Sequence, residues 1–158
     1  MTALARFSLL VVVALLSACS SRAPAPIPQP VVQAPHSSFN GNADDVLFRA
    51  LGLVGTPYRY GGNTPAGGFD CSGLIVYVYQ NSSDIKLPRT IQQMSNVGTG
   101  IGQQPPAPGD LVFFGKPISH VAIYLGPDRM LHAPRSGSRV KIANMDMGRK
   151  PYIGARRL

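Results

Sequence analysis

The order in which helical and strand-like patterns fall along residues 43–158 is the strongest constraint on what this chain can build. Two helix-like stretches come first. Ala43–Leu53 spaces Val46, Leu47, Ala50, Leu51 and Val54 at the 3.6-residue period, with Asn42 placed to cap it and Asp44 and Asp45 in a first turn whose dipole favours acid. Cys71–Tyr79 is apolar almost all round through Leu74, Ile75, Val76, Tyr77 and Val78, the pattern of a buried helix, although its β-branched residues would also suit a strand. Between them, Gly55–Gly68 is too rich in glycine and proline for a regular element and reads as loop. Ile85–Asn96 reads as loop and short helix. After the breaker cluster Pro105–Gly109 come five short strand-like runs: Asp110–Phe114, His120–Leu125, Met130–Ala133, Arg139–Ile142 and Ile153–Leu158. Helices first and strands afterwards predict an α+β fold, an N-terminal helical lobe packed on a small antiparallel sheet or open barrel.

The residues before position 43 are of a different kind. Arg6 is followed by ten apolar or small residues, 7–16, and then by Leu16-Ser17-Ala18-Cys19. A charged start, a short apolar run and small residues before a break are the parts of a secretory signal, and ten residues are too few to span a bilayer as a helix, which needs about 20. Leu16–Cys19 resembles a bacterial lipobox. The reading is a signal peptide over residues 1–18 and a lipidated Cys19; an ordinary signal cut nearby, with Cys19 a bystander, is the alternative. More than one acyl chain on Cys19 would anchor the protein stably, and Ser20, not Asp, at the next position implies sorting to the periplasmic side of an outer membrane. Residues 20–42 are rich in Pro, Ala and Ser with no apolar period, which suits an extended, unfolded tether. His36 falls there and has no assigned role. Residues 43–158 then make one domain with its own core, expected to be a monomer.

The full chain carries a formal charge of +8. Nucleic acid is excluded as a partner by the export signal. An anionic polymer outside the cytoplasm, such as cell-wall peptide carboxylates or acidic headgroups, fits better, although many basic runs are only solvated faces.

With Cys19 taken up by the N-terminal signal, Cys71 is the remaining thiol, so no intrachain disulfide is possible. It is either a small buried hydrophobe or a nucleophile. Asp70 is a good N-cap and sets Cys71 at the first helical position, where unpaired N–H groups and the dipole favour the thiolate and could receive an oxyanion. A thiolate enzyme needs a base. His120 opens one strand-like run and His132 ends near another, with Gly126-Pro127-Asp128 between them. A three-residue loop pairs Leu125 with Arg129, sets His132 opposite Ala122 and leaves the two rings on one face, about 7–8 Å apart on the diagonal and within hydrogen-bond reach. A two-residue loop pairs Gly126 with Arg129 and sends them to opposite faces. In the first arrangement His120 deprotonates Cys71 and His132 orients His120. A histidine satisfied in the core is the plainer alternative for either ring. No metal-ligand spacing is present, and no cofactor is expected.

Six blocks in order extend the pattern: Gly55-x-Pro57-Tyr58-x-x-Gly61-Gly62, Asp70-Cys71-Ser72-Gly73-Leu74, Leu87-Pro88-Arg89, Gly109–Phe114, His120–Tyr124 with Gly126, and His132-Ala133-Pro134. Together they resemble the NlpC-type (NlpC/P60) cell-wall cysteine peptidases, papain-like enzymes that hydrolyse peptidoglycan peptides. The resemblance implies Cys71 as nucleophile, His120 as base and His132 as third polar residue. It also implies that Tyr58 lies beside the nucleophile and assists the oxyanion site, and that Asp70 and Ser72 bind substrate polar groups. A glutamine that family members often carry five residues after the arginine of Leu-Pro-Arg is replaced by Met94, so no role is transferred to that position. The expected activity is a lipid-anchored murein endopeptidase. An amidase or transpeptidase with the same Cys-His pair, and a catalytically silent wall-binding lipoprotein, are the alternatives.

Overall fold

The computed structural model describes residues 41–158 apart from residues 84 and 149, and the side chains of residues 41 and 42. The signal peptide, the Cys19 lipid site and nearly all of the tether lie outside the described residues. Helix α1 spans Gly41–Leu51, helix α2 Cys71–Ser82 and the single turn α3 Ile91–Met94. Strands β1 (Asn63–Thr64) and β2 (Gly68–Phe69) form a small hairpin. A six-stranded sheet contains β3 (Thr99–Gly100), β4 (Leu111–Phe114), β5 (His120–Gly126), β6 (Arg129–His132), β7 (Lys141–Asn144) and β8 (Tyr152–Arg157) in the order β3-β8-β4-β5-β6-β7. Every pairing in it is antiparallel. The expected α+β, papain-like architecture is what forms.

The two-residue period of the strands divides the apolar residues between two cores. Leu111, Phe113, Val121, Ile123 and Leu131 face the helices and pack with Val46, Ala50, Phe69, Leu74, Ile75 and Val78. Val112, Phe114, Ala122, Met130 and Ala155 face the other way and are covered by Tyr124, Ala143, Met145 and Met147. With both faces covered, β4 shows no exposed side chain at all, and its sequence Leu-Val-Phe-Phe reads as continuous rather than alternating. Each large side chain so buried stabilises the fold by about 1.5–3 kcal/mol.

The structure departs from the sequence reading in several places. Helix α1 begins at Gly41 and ends at Leu51, so Asn42 lies inside its first turn, not ahead of it, and Leu51 and Val54 are left exposed. Helix α2 runs on to Ser82, and its β-branched residues are accommodated because it is buried against the sheet. Strand β7 starts at Lys141, two residues later than expected. Val140 is drawn off instead to the loop after α1: its N–H donates to Thr56 O at 2.8 Å and its carbonyl accepts from Gly55 N at 2.9 Å. Arg139, the residue before it, forms an isolated bridge with Pro57. The last strand is fixed at its end by a bidentate pair, Arg157 Nε and Nη2 donating to Asp110 Oδ1 and Oδ2 at 2.9 and 2.7 Å.

Candidate active site

Asp70 ends β2's crossing into α2 and caps the helix. Its backbone is extended (φ −89°, ψ 177°), which frees the carboxylate to accept from Gly73 N at 2.7 Å. The same carboxylate accepts from Gly61 N at 2.9 Å, from Ser72 Oγ at 3.3 Å and from Arg89 Nη2 at 2.6 Å. Arg89 Nη1 donates in turn to Ser72 Oγ at 2.5 Å. Cys71 is thus held between two residues tied to one guanidinium. Burial alone would push the Asp70 carboxyl up, but Arg89 and the N–H groups of Gly73 and Gly61 outweigh it and hold the carboxyl below its ordinary range.

The Cys71 thiol behaves differently from the sequence expectation. Burial, and then the Asp70 charge beside it, push its pKa up. The N–H groups of Ser72, Val121 and Cys71 pull the other way without prevailing. The helix head is present as expected; the burial and the neighbouring carboxylate that offset it are properties of the fold and of the cap itself. In the resting site the sulfur is a thiol. The Val121 N–H, one residue along β5 from His120, is near enough to act on the sulfur.

His120 and His132 are both buried, 2% and 3% exposed. His120 Nε2 and His132 Nδ1 are 2.9 Å apart, with the rings edge-on at 84°. The register that brings them together is the expected one, reached by an unexpected route. Tyr124 pairs with Met130 and Ile123 with Leu131, which carried one step further sets Ala122 beside His132. Yet the turn is the two-residue kind, with Gly126 opposite Arg129. A bulge at Leu125 absorbs the odd residue and restores the face. Gly126 (φ 127°) and Asp128 (φ 52°) supply the backbone angles this turn requires.

Burial first, then His132 and Lys150, push His120 down to about 3. Burial first, then Lys141, push His132 down to about 4. Both rings are neutral near pH 7. With His120 Nε2 engaged by His132, only Nδ1 is available toward the sulfur. If Nδ1 is to accept a proton, Nε2 carries one and donates to His132 Nδ1, which puts the remaining proton of His132 on Nε2, a buried atom without a partner among the described residues.

Tyr58 lies where the resemblance implies. Its N–H donates to Ser138 O at 2.9 Å and it bridges to Phe69, two residues before Cys71. Burial, then Cys71 and Asp70, push its phenol up, so it stays a proton donor beside both. Arg89 belongs to this site and was not among the residues expected there; its block, Leu87-Pro88-Arg89, was the available signal. Met94 is fully buried in the main core, a packing residue at the position where the family often has glutamine. Among the described residues no group of three or more His, Cys, Asp or Glu could hold a metal ion.

The sequence model of the NlpC/P60 family matches residues 55–157. Murein DD-endopeptidase MepH of Escherichia coli (strain K12) is 38% identical over 120 residues, 71% of this chain and 44% of that protein. Gamma-DL-glutamyl hydrolase of Bacillus subtilis (strain 168) is 42% identical over 118 residues, 71% of this chain and 28% of that protein. The chain therefore spans less than half the length of these curated relatives. Among solved structures, RipD of Mycobacterium tuberculosis, described as a non-catalytic NlpC/p60 domain protein adapted to peptidoglycan binding, superposes with a TM-score of 0.63 at 32% identity, covering 74% of this chain and 97% of that one.

Proposed function

From the membership of this chain in the NlpC/P60 family, we propose that it is a cysteine-type peptidoglycan endopeptidase that cleaves amide bonds in murein stem or cross-link peptides with Cys71, His120 and His132. The observation that supports this most is the buried pair of His120 Nε2 and His132 Nδ1, 2.9 Å apart, with His120 opening the strand whose next residue, Val121, has its N–H near enough to act on the Cys71 sulfur. The reaction starts from two neutral groups. As the scissile carbonyl approaches Cys71, His120 Nδ1 takes the thiol proton and the sulfur attacks the carbon. The oxyanion develops toward N–H groups at the head of α2 and the Tyr58 hydroxyl. His120, now an imidazolium supported through Nε2 by His132, gives its proton to the departing amine. Water then hydrolyses the thioester, with His120 again accepting a proton, and Cys71 is regenerated. Asp70, Ser72 and Arg89 form the polar wall beside the sulfur and bind charged or amide groups of the peptide.

The relatives are named for different bonds, one a DD-endopeptidase and the other a DL-glutamyl hydrolase, so both bond classes are tested together. Mass spectrometry of purified muropeptides after incubation should show new peptide amines with the wild type and none with Cys71→Ala. Products of amide transfer or of cleavage next to the sugar would establish the transpeptidase or amidase alternative. The likeness to RipD favours a second reading, a silent wall-binding protein; binding of muropeptides without any cut by the wild type would establish that one. The intact Cys71, His120 and His132 count against it.

The Leu16–Cys19 block supports lipidation of Cys19 and periplasmic attachment to an outer membrane through the tether. Metabolic labelling with a fatty-acid probe should mark the wild type, whereas Cys19→Ala should lose the label and appear in the soluble fraction. Labelling that persists in Cys19→Ala would end this part of the proposal.

A further inference from the structure

The loop between α1 and α2 presents one side chain that neither the fold nor the reaction uses. Tyr60 is 88% exposed. It belongs to neither apolar core, and among the described residues its hydroxyl has no hydrogen-bond partner. A single exposed aromatic is ordinary on a protein surface. What sets this one apart is how rigidly its turn is held, and against what.

Tyr60 sits at the apex of the turn Arg59–Gly62, closed by Gly62 N donating to Arg59 O at 2.9 Å. Arg59 N donates to Phe69 O at 3.0 Å, and Asp70 N to Gly62 O at 3.1 Å. Gly61 N reaches the Asp70 carboxylate at 2.9 Å. The packing beneath is too close for any side chain. A Cβ on Gly62 would lie 2.4 Å from Gly68 O, and one on Gly73 would lie 2.0 Å from Gly62 O. The turn is therefore packed directly on the first turn of α2, the turn that begins with Cys71. Tyr60 is also near enough to Tyr58 to add to the upward push on that phenol.

We propose that Tyr60 is a substrate-contact residue, an aromatic platform carried on a fixed turn beside the head of α2, for an apolar C–H face of the peptidoglycan repeat flanking the cleaved bond. This rests on the endopeptidase reading above. The chemistry is that of a flat π-surface against C–H groups; the backbone beneath is positioned before binding, so only the ring's own two torsions are left to be ordered. Two parts of the polymer offer such a face: a sugar ring of the glycan and the aliphatic side chain of the stem diamino acid. The residue acts on binding and not on the chemical step, since its ring lies outside the Cys71-His120-His132 group.

The test uses the full chain, steady-state kinetics and two substrates, a disaccharide-bearing muropeptide and the same stem peptide without sugar. Tyr60→Ala should raise KM about three- to tenfold with kcat unchanged, and Tyr60→Phe should restore KM while the melting temperature stays at the wild-type value in both. An effect confined to the disaccharide substrate identifies the sugar ring, and an equal effect on both substrates identifies the peptide side chain; either supports the platform. Unchanged KM on both substrates, a loss residing in kcat, or failure of Tyr60→Phe to restore KM would overturn it while leaving the endopeptidase intact. A wild type that cuts neither substrate would remove both readings together.

Discussion

The two halves of the site are held in place by opposite means. On the helix side, the Asp70 carboxylate accepts from Gly61, Ser72, Gly73 and Arg89. Geometry there comes from hydrogen bonds, two from backbone N–H groups and two from side chains. On the strand side, His120 and His132 have each other and burial, and His132 Nε2 has no partner among the described residues. Geometry there comes from strand register. The comparison teaches that the nucleophile's position should tolerate changes in the sheet, whereas the base's position hangs on the register of β5 against β6.

Inserting one alanine between Val121 and Ala122 is the sharpest way to break that comparison. Tyr124 stays opposite Met130, but His120 is moved one residue along and turns to the other face of β5 relative to His132. The expected result is loss of turnover by about a thousandfold or more, with α2 and its cap intact; near-normal turnover would show that register does not place the base. Next in size is His132→Ala, expected to lower kcat by about ten- to a hundredfold with little change in KM, because His120 loses the acceptor that fixes its tautomer. An equal drop in both constants for His132→Asn and His132→Ala would argue against that orienting role.

The helix side is probed by stability rather than rate. Asp70→Ala removes the cap and leaves Arg89 and Ser72 without their acceptor, and it should destabilise the domain by about 2–4 kcal/mol in urea unfolding. A loss well under about 1 kcal/mol would mean the network is decorative. The last effect is the one with pH. His120 and His132 have folded-state values of about 3 and about 4, both below the ordinary 6.5. The unfolded chain therefore binds protons that the native state refuses as pH falls below about 6.5. Stability should be full above that value and fall between about pH 6 and pH 4, and His120→Phe should flatten the slope in the same window. A slope unchanged by that substitution would contradict the neutral, buried pair.

Much of this was legible in the sequence, and the limits have physical reasons. Helix α2 and its cap were readable because Asp70 and the apolar run act within one turn. The shared face of His120 and His132 was readable as a parity argument, although the turn that delivers it was not, since the bulge at Leu125 depends on tertiary packing. The start of β7 was misplaced because Val140 pairs with Thr56 and Gly55, far away in sequence. Arg89 escaped notice as a site residue because its partners lie 17 and 19 positions earlier. The state of the Cys71 thiol was misjudged for a related reason. A helix head is a local feature, whereas the burial that outweighs it arises only when β5 packs against α2.

The central claim is that the Cys71 sulfur attacks the substrate carbonyl with His120 as its base, and acid-quench trapping tests it most directly. Wild-type protein mixed with muropeptides and quenched within the first turnovers should yield an acyl adduct on the peptide containing Cys71, with the adduct absent from Cys71→Ala and greatly reduced in His120→Ala. Continued cleavage by Cys71→Ala, or an adduct that forms equally well without His120, would contradict the account.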